Sequence, residues 1–297
     1  MKFYIRTNIG TTGFDEISEN YYEALKNSFF CLLNAYQLEQ KYDLVVSNYI
    51  ELELEFNSVL VNHLVGRYPG WINHLEVQLG INRRLANFLS TCKTYVDQRD
   101  RHLVLCFAGD KNAAMKIKKF ASSLYEESAD YRLMEALRNH VQHHSLAVHE
   151  SKIGGSRRTS DLNSDFEYKA GFYLLKDEIL KNKKFKSSVR DEMPDKVDII
   201  SATRSYMSVL NRIQIKARKE LDPAIEEAYV TLIDVVRSEK SEGLQLAKYA
   251  ISIDEDKNEV ERIPLLLTHL EEIKKLKKKN PELLKIERGH FSTDPYN

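Results

Sequence analysis

"YRLMEALRNHVQHHSLAV", Tyr131 to Val148, is the stretch on which the fold turns. Its apolar residues Tyr131, Met134, Leu137 and Val141 recur at three- and four-residue steps, the spacing of one helix face. Ser128 and Asp130 stand just before and inside the first turn, where a hydroxyl meets free backbone N–H groups and a carboxylate meets the positive helix end. A helix is therefore expected over about 128–147, ending among the histidines. Its second half, "ALRNHVQHHS" (Ala136–Ser145), is the densest cluster in the chain of groups that titrate near neutrality.

At about 100° per residue, Arg138 falls in line with Tyr131, Met134, Val141 and Ser145. An arginine on the face turned toward other helices or a partner is costly unless an anion or acceptor meets it. Asn139 lies one turn before His143, so its amide can touch and orient that imidazole. His144 lies nearer the Arg138 side than His140 does. With the helix fraying toward His149, Arg138 and one of the paired histidines can converge on a common ligand. Such a pair suits phosphodiester transfer in RNA. A histidine takes a proton from a 2′-hydroxyl or gives one to the leaving oxygen, while an arginine fork matches phosphate oxygens and stabilises charge building on phosphorus. Neither step needs a metal.

Outward from the cluster the pattern stays helical. Asp15 to about Gly66 repeats apolar residues at three and four. Trp71 to about Arg99 does the same, and the run then continues with an interruption near Gly109-Asp110. Val197 to about Glu239 is helical with a break expected at Pro223, and another helix is expected from Pro264 to about Lys279. "HESKIGGSRRTSDLNSD" (His149–Asp165) reads as an exposed loop, and "FEYKAGFYLL" alternates like a short strand. That strand is expected to join a small sheet with "KFYIR" or "KYAISID". The "KKLKKK" run (Lys274–Lys279) reads as a solvated helix end.

Composition bounds the function. At 42% apolar and 30% charged, the 297-residue chain is globular, and 11 glycines with 6 prolines disfavour a loop-rich all-β fold. Lys+Arg and Asp+Glu are equal at 44 each, so a nucleic-acid role must rest on a local basic patch. Cys31, Cys92 and Cys106 lack a Cys-x-x-Cys pair, which argues against a disulfide framework or a thiolate zinc site and fits a reducing cytoplasm. The start, "MKFYIRTNIGTTG", carries no secretory pattern, and no apolar window reaches the roughly 18 to 20 residues of a membrane span. A soluble, cytoplasmic protein without membrane contact is expected.

Arg138-Asn139-His140-Val141-Gln142-His143 resembles the signature of the HEPN superfamily: an arginine, a polar residue that is often Asn, and a histidine four to six residues beyond the arginine. The flanks "YRLMEALRN" and "HHSLAV", and the upstream "INRRLANFLSTCKTYVDQ" (Ile81–Gln98), are similar to those of HEPN-type proteins of bacterial phage-defence and toxin–antitoxin loci. The specific resemblance covers roughly Ile81 to Val148. It implies a mainly α, HEPN-like helical bundle with a few short β-strands, dimerising so that two motif helices face each other. The composite cleft would cut RNA without a metal or other cofactor, leaving a cyclic phosphate. Arg138 would bind and polarise the phosphate, and His143 would be acid or base, with His144 at an equally suitable spacing. Asn139 would orient the histidine or contact RNA. Some HEPN toxins carry a tyrosine two residues after the histidine, a modification site for an antitoxin. Here Ser145 (or Leu146, counted from His144) stands there, so that form of regulation is not implied. An antitoxin or defence-system partner of another kind stays open.

The implied organisation is a HEPN-like helical domain over 1–240, with a loop and short strand at about 149–175, and a C-terminal extension over 241–297. Lys152, Arg157 and Arg158, close after the motif, are candidate RNA-phosphate contacts, with a flexible loop as the plainer reading. "KNKKFKSSVR" (Lys181–Arg190) reads as a solvated connector, with base stacking by Phe185 a lesser alternative. Two other classes stand beside the nuclease: a non-catalytic HEPN-like dimerisation, RNA- or nucleotide-binding module, and a metal enzyme using His140, His143, His144 and His149. For the last, Glu150 alone sits at a supporting spacing, so no metal is assigned.

Overall fold

The computed structural model describes residues 1–7, 14–67, 71–160, 165–237 and 248–291. The glycine-containing turn at 8–13, the Pro-Gly break at 68–70, the loop tip at 161–164 and the end of the long helix after Arg237 lie outside the described residues. Strands β1 (Lys2–Thr7) and β2 (Phe14–Ile17) precede the long helices α1 (Glu19–Leu64) and α2 (Trp71–Cys106). Helices α3 (Asn112–Glu127) and α4 (Ala129–His143) follow, then β3 (Glu150–Arg157) and β4 (Phe166–Leu175). Short α5 (Lys176–Leu180), α6 (Ser187–Glu192) and β5 (Lys196–Asp198) lead into α7 (Ile199–Arg237). The last described elements are β6 (Lys248–Ile253), β7 (Glu259–Leu265) and α8 (Thr268–Lys279). The chain is mainly α with small antiparallel sheets, as its periodicity predicts. Among the described residues, no helix is long and apolar enough to cross a membrane.

Two compact units divide the chain: Met1–Asp43, Asp97–Lys119 and Gln214–Pro281 form the first, and Leu44–Val96, Phe120–Ile213 and Glu282–Asn297 the second. This differs from a domain ending at 240 with an extension behind it. In the first unit the sheet order is β2-β1-β6-β7, so a strand from beyond 240 lies beside the first strand of the chain. The physical reason is the open edge of β1, whose N–H and C=O groups need a partner; Lys2 to Thr7 pair with Ile253 to Lys248. "KFYIR" and "KYAISID" therefore pair with each other and not with "FEYKAGFYLL". Residues 259–265 complete this sheet as β7, and the helix expected from Pro264 starts only at Thr268.

The core of the first unit includes Tyr22, Leu25, Leu32, Leu38 and Leu232. Helix α7 continues through Pro223, where a break was expected, held by the buried Leu221, Ile225 and Ala228 around it. The lost backbone N–H of proline removes one helical bond, and burial of the apolar stripe outweighs it. Arg218 forms a buried fork on Glu39, with Nε and Nη2 at 2.9 and 2.7 Å from its oxygens. The lysine run at the end of α8 is not simply solvated: Lys279 meets Asp43 at 2.8 Å and Lys277 bonds Asp222. Arg99 is buried, with its Nε on Asp100 at 2.9 Å. The interruption before α3 lies where expected, with Ala108 and Gly109 at positive φ (50° and 96°).

In the second unit an aromatic chain fills the core. Tyr49 meets Phe88 at 5.9 Å, Phe88 meets Tyr206 at 5.9 Å, and Tyr206 meets Tyr131 of α4 at 5.4 Å between ring centres. Each buried ring contributes roughly 1.5–3 kcal/mol through removal of apolar surface from water. The Tyr206 hydroxyl satisfies itself on Glu135 at 2.5 Å. The sheet order here is β3-β4-β5. Glu150–Arg157, which reads as loop from its Gly, Ser and Arg content, is a strand paired residue for residue with β4, from Glu150↔Tyr173 to Arg157↔Phe166. The demand of β4 for a hydrogen-bonding partner overrides the weak local preference of β3. Gly155 fits that pairing for a further reason: a Cβ there would sit 2.1 Å from the Phe166 ring.

Candidate functional site

Helix α4 begins as its sequence predicts, with the Ser128 side chain accepting a hydrogen bond from the Tyr131 N–H at 3.1 Å. Tyr131, Leu133, Met134, Leu137 and His140 form its buried face. It ends at His143, where the His144 and Ser145 N–H groups both reach the His140 carbonyl, at 2.8 and 3.2 Å. The chain beyond is clamped by Asn82 of α2, itself buried. Its Oδ1 accepts from the Ala147 and Val148 N–H groups at 2.9 Å each, and its Nδ2 donates to the Val148 carbonyl at 3.1 Å. Asn82 thus anchors the segment after the motif. Asn87 is exposed.

The last two turns of α4 form one wall of an open cleft of about 730 Å3, with Asn139, His140, His143 and His144 on it. The opposite wall is the segment Lys181–Lys186, read from sequence as a solvated connector. Contacts from this segment and from α6 just after it hold the wall to α4. Asn182 Nδ2 lies 3.0 Å from His140 Nδ1, and Glu192 of α6 receives a two-pronged bond from Arg132 at 2.8 and 2.9 Å. Phe185 is buried and packs edge-on against His140 at 5.9 Å, so it is not free to stack on a base.

The tautomer of His140 follows from its neighbours. Asn182 Oδ1 accepts the Lys184 N–H at 3.0 Å, which leaves the Asn182 amide N–H to face His140 Nδ1. Nδ1 is then the acceptor and the proton sits on Nε2. His140 is only 1% exposed, and burial, followed by the positive charge that His144 and His149 can carry, pushes its pKa down to about 4. Its Nε2 is buried and faces the Leu146 backbone, which acts against the shift. His144 stacks on the His140 ring at 5.1 Å, while His143 and His144 are both exposed.

The remaining expected site residues fall differently. Arg138 is half-buried and does not line the cleft; its Nη1 donates to Asn139 Oδ1 at 2.7 Å, and its Nε is buried without a partner among the described residues. Asn139 thus has its carbonyl oxygen on Arg138. Lys152 lines another groove, along β3 and β4, and its ammonium lies 3.6 Å from Glu150. Arg157 and Arg158 lie at and just past the end of β3, exposed and away from the histidine cleft. His149 accepts the Leu175 N–H on Nδ1 at 3.2 Å, and Glu150 pairs with Lys196 at 2.8 Å. Among the described residues no three His, Cys, Asp or Glu side chains converge as a metal site. What sequence reading missed is the basic wall at 181–186. Its signal was four lysines in six residues, visible in the chain but without a partner to give them meaning. No protein-family model, no curated protein and no solved structure matches this chain.

Proposed function

We propose that the chain is a metal-independent endoribonuclease of HEPN type, with a HEPN-like bundle around α4 and a composite active site at a homodimer interface. The observation that carries this reading is the cleft itself. Two exposed histidines at the expected spacing from Arg138 share it with Asn139 and face a row of lysines, in a chain with no excess of positive charge overall. In the reaction, His143 removes the proton of a ribose 2′-hydroxyl, whose oxygen attacks the adjacent phosphorus. The bond to the 5′-oxygen breaks, that oxygen takes a proton from a second acid, and a 2′,3′-cyclic phosphate remains. Arg138 stabilises the charge gathering on the phosphate oxygens. Since Arg138 lies off the cleft in the single chain, the reading requires the guanidinium to leave Asn139 or to come from a second copy. The unpartnered Nε is a donor held ready for such an acceptor. Phage defence or a toxin–antitoxin setting in the cytoplasm is the proposed context, with an antitoxin or defence protein as partner.

The test is RNA degradation by wild type, Arg138→Ala and His143→Ala with EDTA present, alongside the molecular mass in solution. Cleavage that survives chelation and is lost in both variants supports the nuclease, as does a dimer. The engagement of Arg138 by Asn139 favours a second reading, a non-catalytic RNA- or nucleotide-binding module. RNA that is bound by all three proteins and cut by none selects it.

A further inference from the structure

Resting on the RNA-cleaving reading, we infer that Lys183 and Lys184 grip the phosphates of a single-stranded RNA on either side of the nucleotide presented to the exposed histidines. Candidate phosphate contacts on β3 do not reach this cleft: neither Lys152 nor Arg157 nor Arg158 lines it. The four lysines that do line it are not equivalent. Lys181 is taken by Glu178 at 2.6 Å, and Lys186 bonds the Tyr125 hydroxyl at 2.5 Å with its ammonium 4.8 Å from that ring centre. Lys183 and Lys184 are exposed and make no ion pair among the described residues. Two cations left uncompensated on a cleft wall raise the local potential for an anion.

Their backbone is fixed before any ligand arrives. The Asn182 side chain accepts from the Lys184 N–H and meets His140, the Phe185 N–H bonds the Asn182 carbonyl at 3.0 Å, and the buried Phe185 ring pins the loop from below. Ordering that would otherwise be charged to binding is already complete. The ligand class follows from size and charge. A volume of about 730 Å3 is that of a small-ligand site. It has room for roughly a nucleotide or two of single strand. Compact ammonium groups on flexible stems read phosphate charge and not base identity, so the grip is sequence-independent.

The experiment measures binding of a fluorescein-labelled single-stranded RNA by anisotropy, in the His143→Ala background to prevent turnover, across a KCl series. Adding Lys183→Ala and Lys184→Ala together is expected to weaken binding about tenfold or more. The slope of log affinity against log salt should flatten by about 1.4, the counterion release of two single-strand phosphate contacts. Lys183→Arg with Lys184→Arg should restore both. An unchanged salt slope in the double alanine variant, with RNA still bound, overturns this assignment while leaving the nuclease reading intact. If the His143→Ala protein with all lysines present binds no RNA, the RNA reading itself falls, and this inference with it.

Discussion

Lowering the pH from 7 to 5 should remove about 2 kcal/mol of folding stability through His140 alone. In the folded chain this imidazole is held neutral, with a pKa of about 4, by burial and by the neighbouring His144 and His149. In the unfolded chain it returns to about 6.5. Its folded-state pKa is depressed, so between these two values the unfolded state binds the extra proton and acid favours unfolding. The contribution is nearly complete above pH 7 and shrinks as pH falls toward 4. One pKa unit is worth about 1.4 kcal/mol, so the whole window amounts to about 3 kcal/mol, of which about 2 falls between pH 7 and pH 5. Carboxylates titrate in the same range and must be subtracted. Urea unfolding of wild type and His140→Gln at pH 7 and pH 5 isolates the histidine, because the carboxylate contribution is common to both. The wild type should lose about 2 kcal/mol more than the variant. Imidazole NMR provides the direct check, with the His140 ring neutral and protonated on Nε2 at pH 5.5. A His140 that titrates near 6.5, or a stability difference independent of pH, refutes the reasoning from burial.

Asn82→Ala leaves the buried Ala147 and Val148 N–H groups without an acceptor, and should cost about 2–4 kcal/mol. Amide exchange at those two positions should accelerate beyond the global change; if the stability loss stays under about 0.5 kcal/mol, Asn82 is not the clamp described. Arg218→Ala strands the buried Glu39 carboxylate and should cost about 3–5 kcal/mol, whereas Arg218→Met with Glu39→Leu should recover most of it. A double variant as unstable as the single one would mean that the pair contributes more than its own neutralisation. Asn182→Ala removes both the partner of His140 Nδ1 and the acceptor of the Lys184 N–H, and should cost about 1–3 kcal/mol. Hydrogen exchange at 183–186 reports it, and protection left unchanged there would show that the loop is organised by Phe185 alone.

The motif helix was legible because all its signals are local. The Ser128 cap, the apolar stripe and the termination among the histidines lie within a few turns, and each has one physical meaning. The break at Gly109 was legible for the same reason. Strand β3 was not, since Gly154, Gly155 and Ser156 carry the marks of a turn and become a strand only through the ladder offered by β4. The lysine wall was hidden in another way. Nothing in "KNKKFK" indicates that its asparagine will meet a histidine far upstream, and an interleaved phenylalanine looks equally apt for stacking on a base or for burial. Helical projection placed Arg138 on the apolar side of α4, and its half-buried, partly unpaired guanidinium agrees with that. The same projection offered Asn139 to His143, but the side chain turned to its immediate neighbour, the nearest strong donor.

The pairing of β1 with β6 has a consequence for the order in which the protein is made. The strand that covers the second edge of Lys2–Thr7 is made only after the long helices that separate the two. Until then β1 has only the short β2 beside it, and an isolated two-stranded hairpin is marginal in water. Closing a loop that spans most of the chain is entropically slow, and an uncovered edge invites pairing with other nascent chains. The first unit therefore cannot complete its sheet before Lys248–Ile253 has been made, so a transcript truncated upstream of Lys248 yields a chain with β1 open and adhesive on that edge.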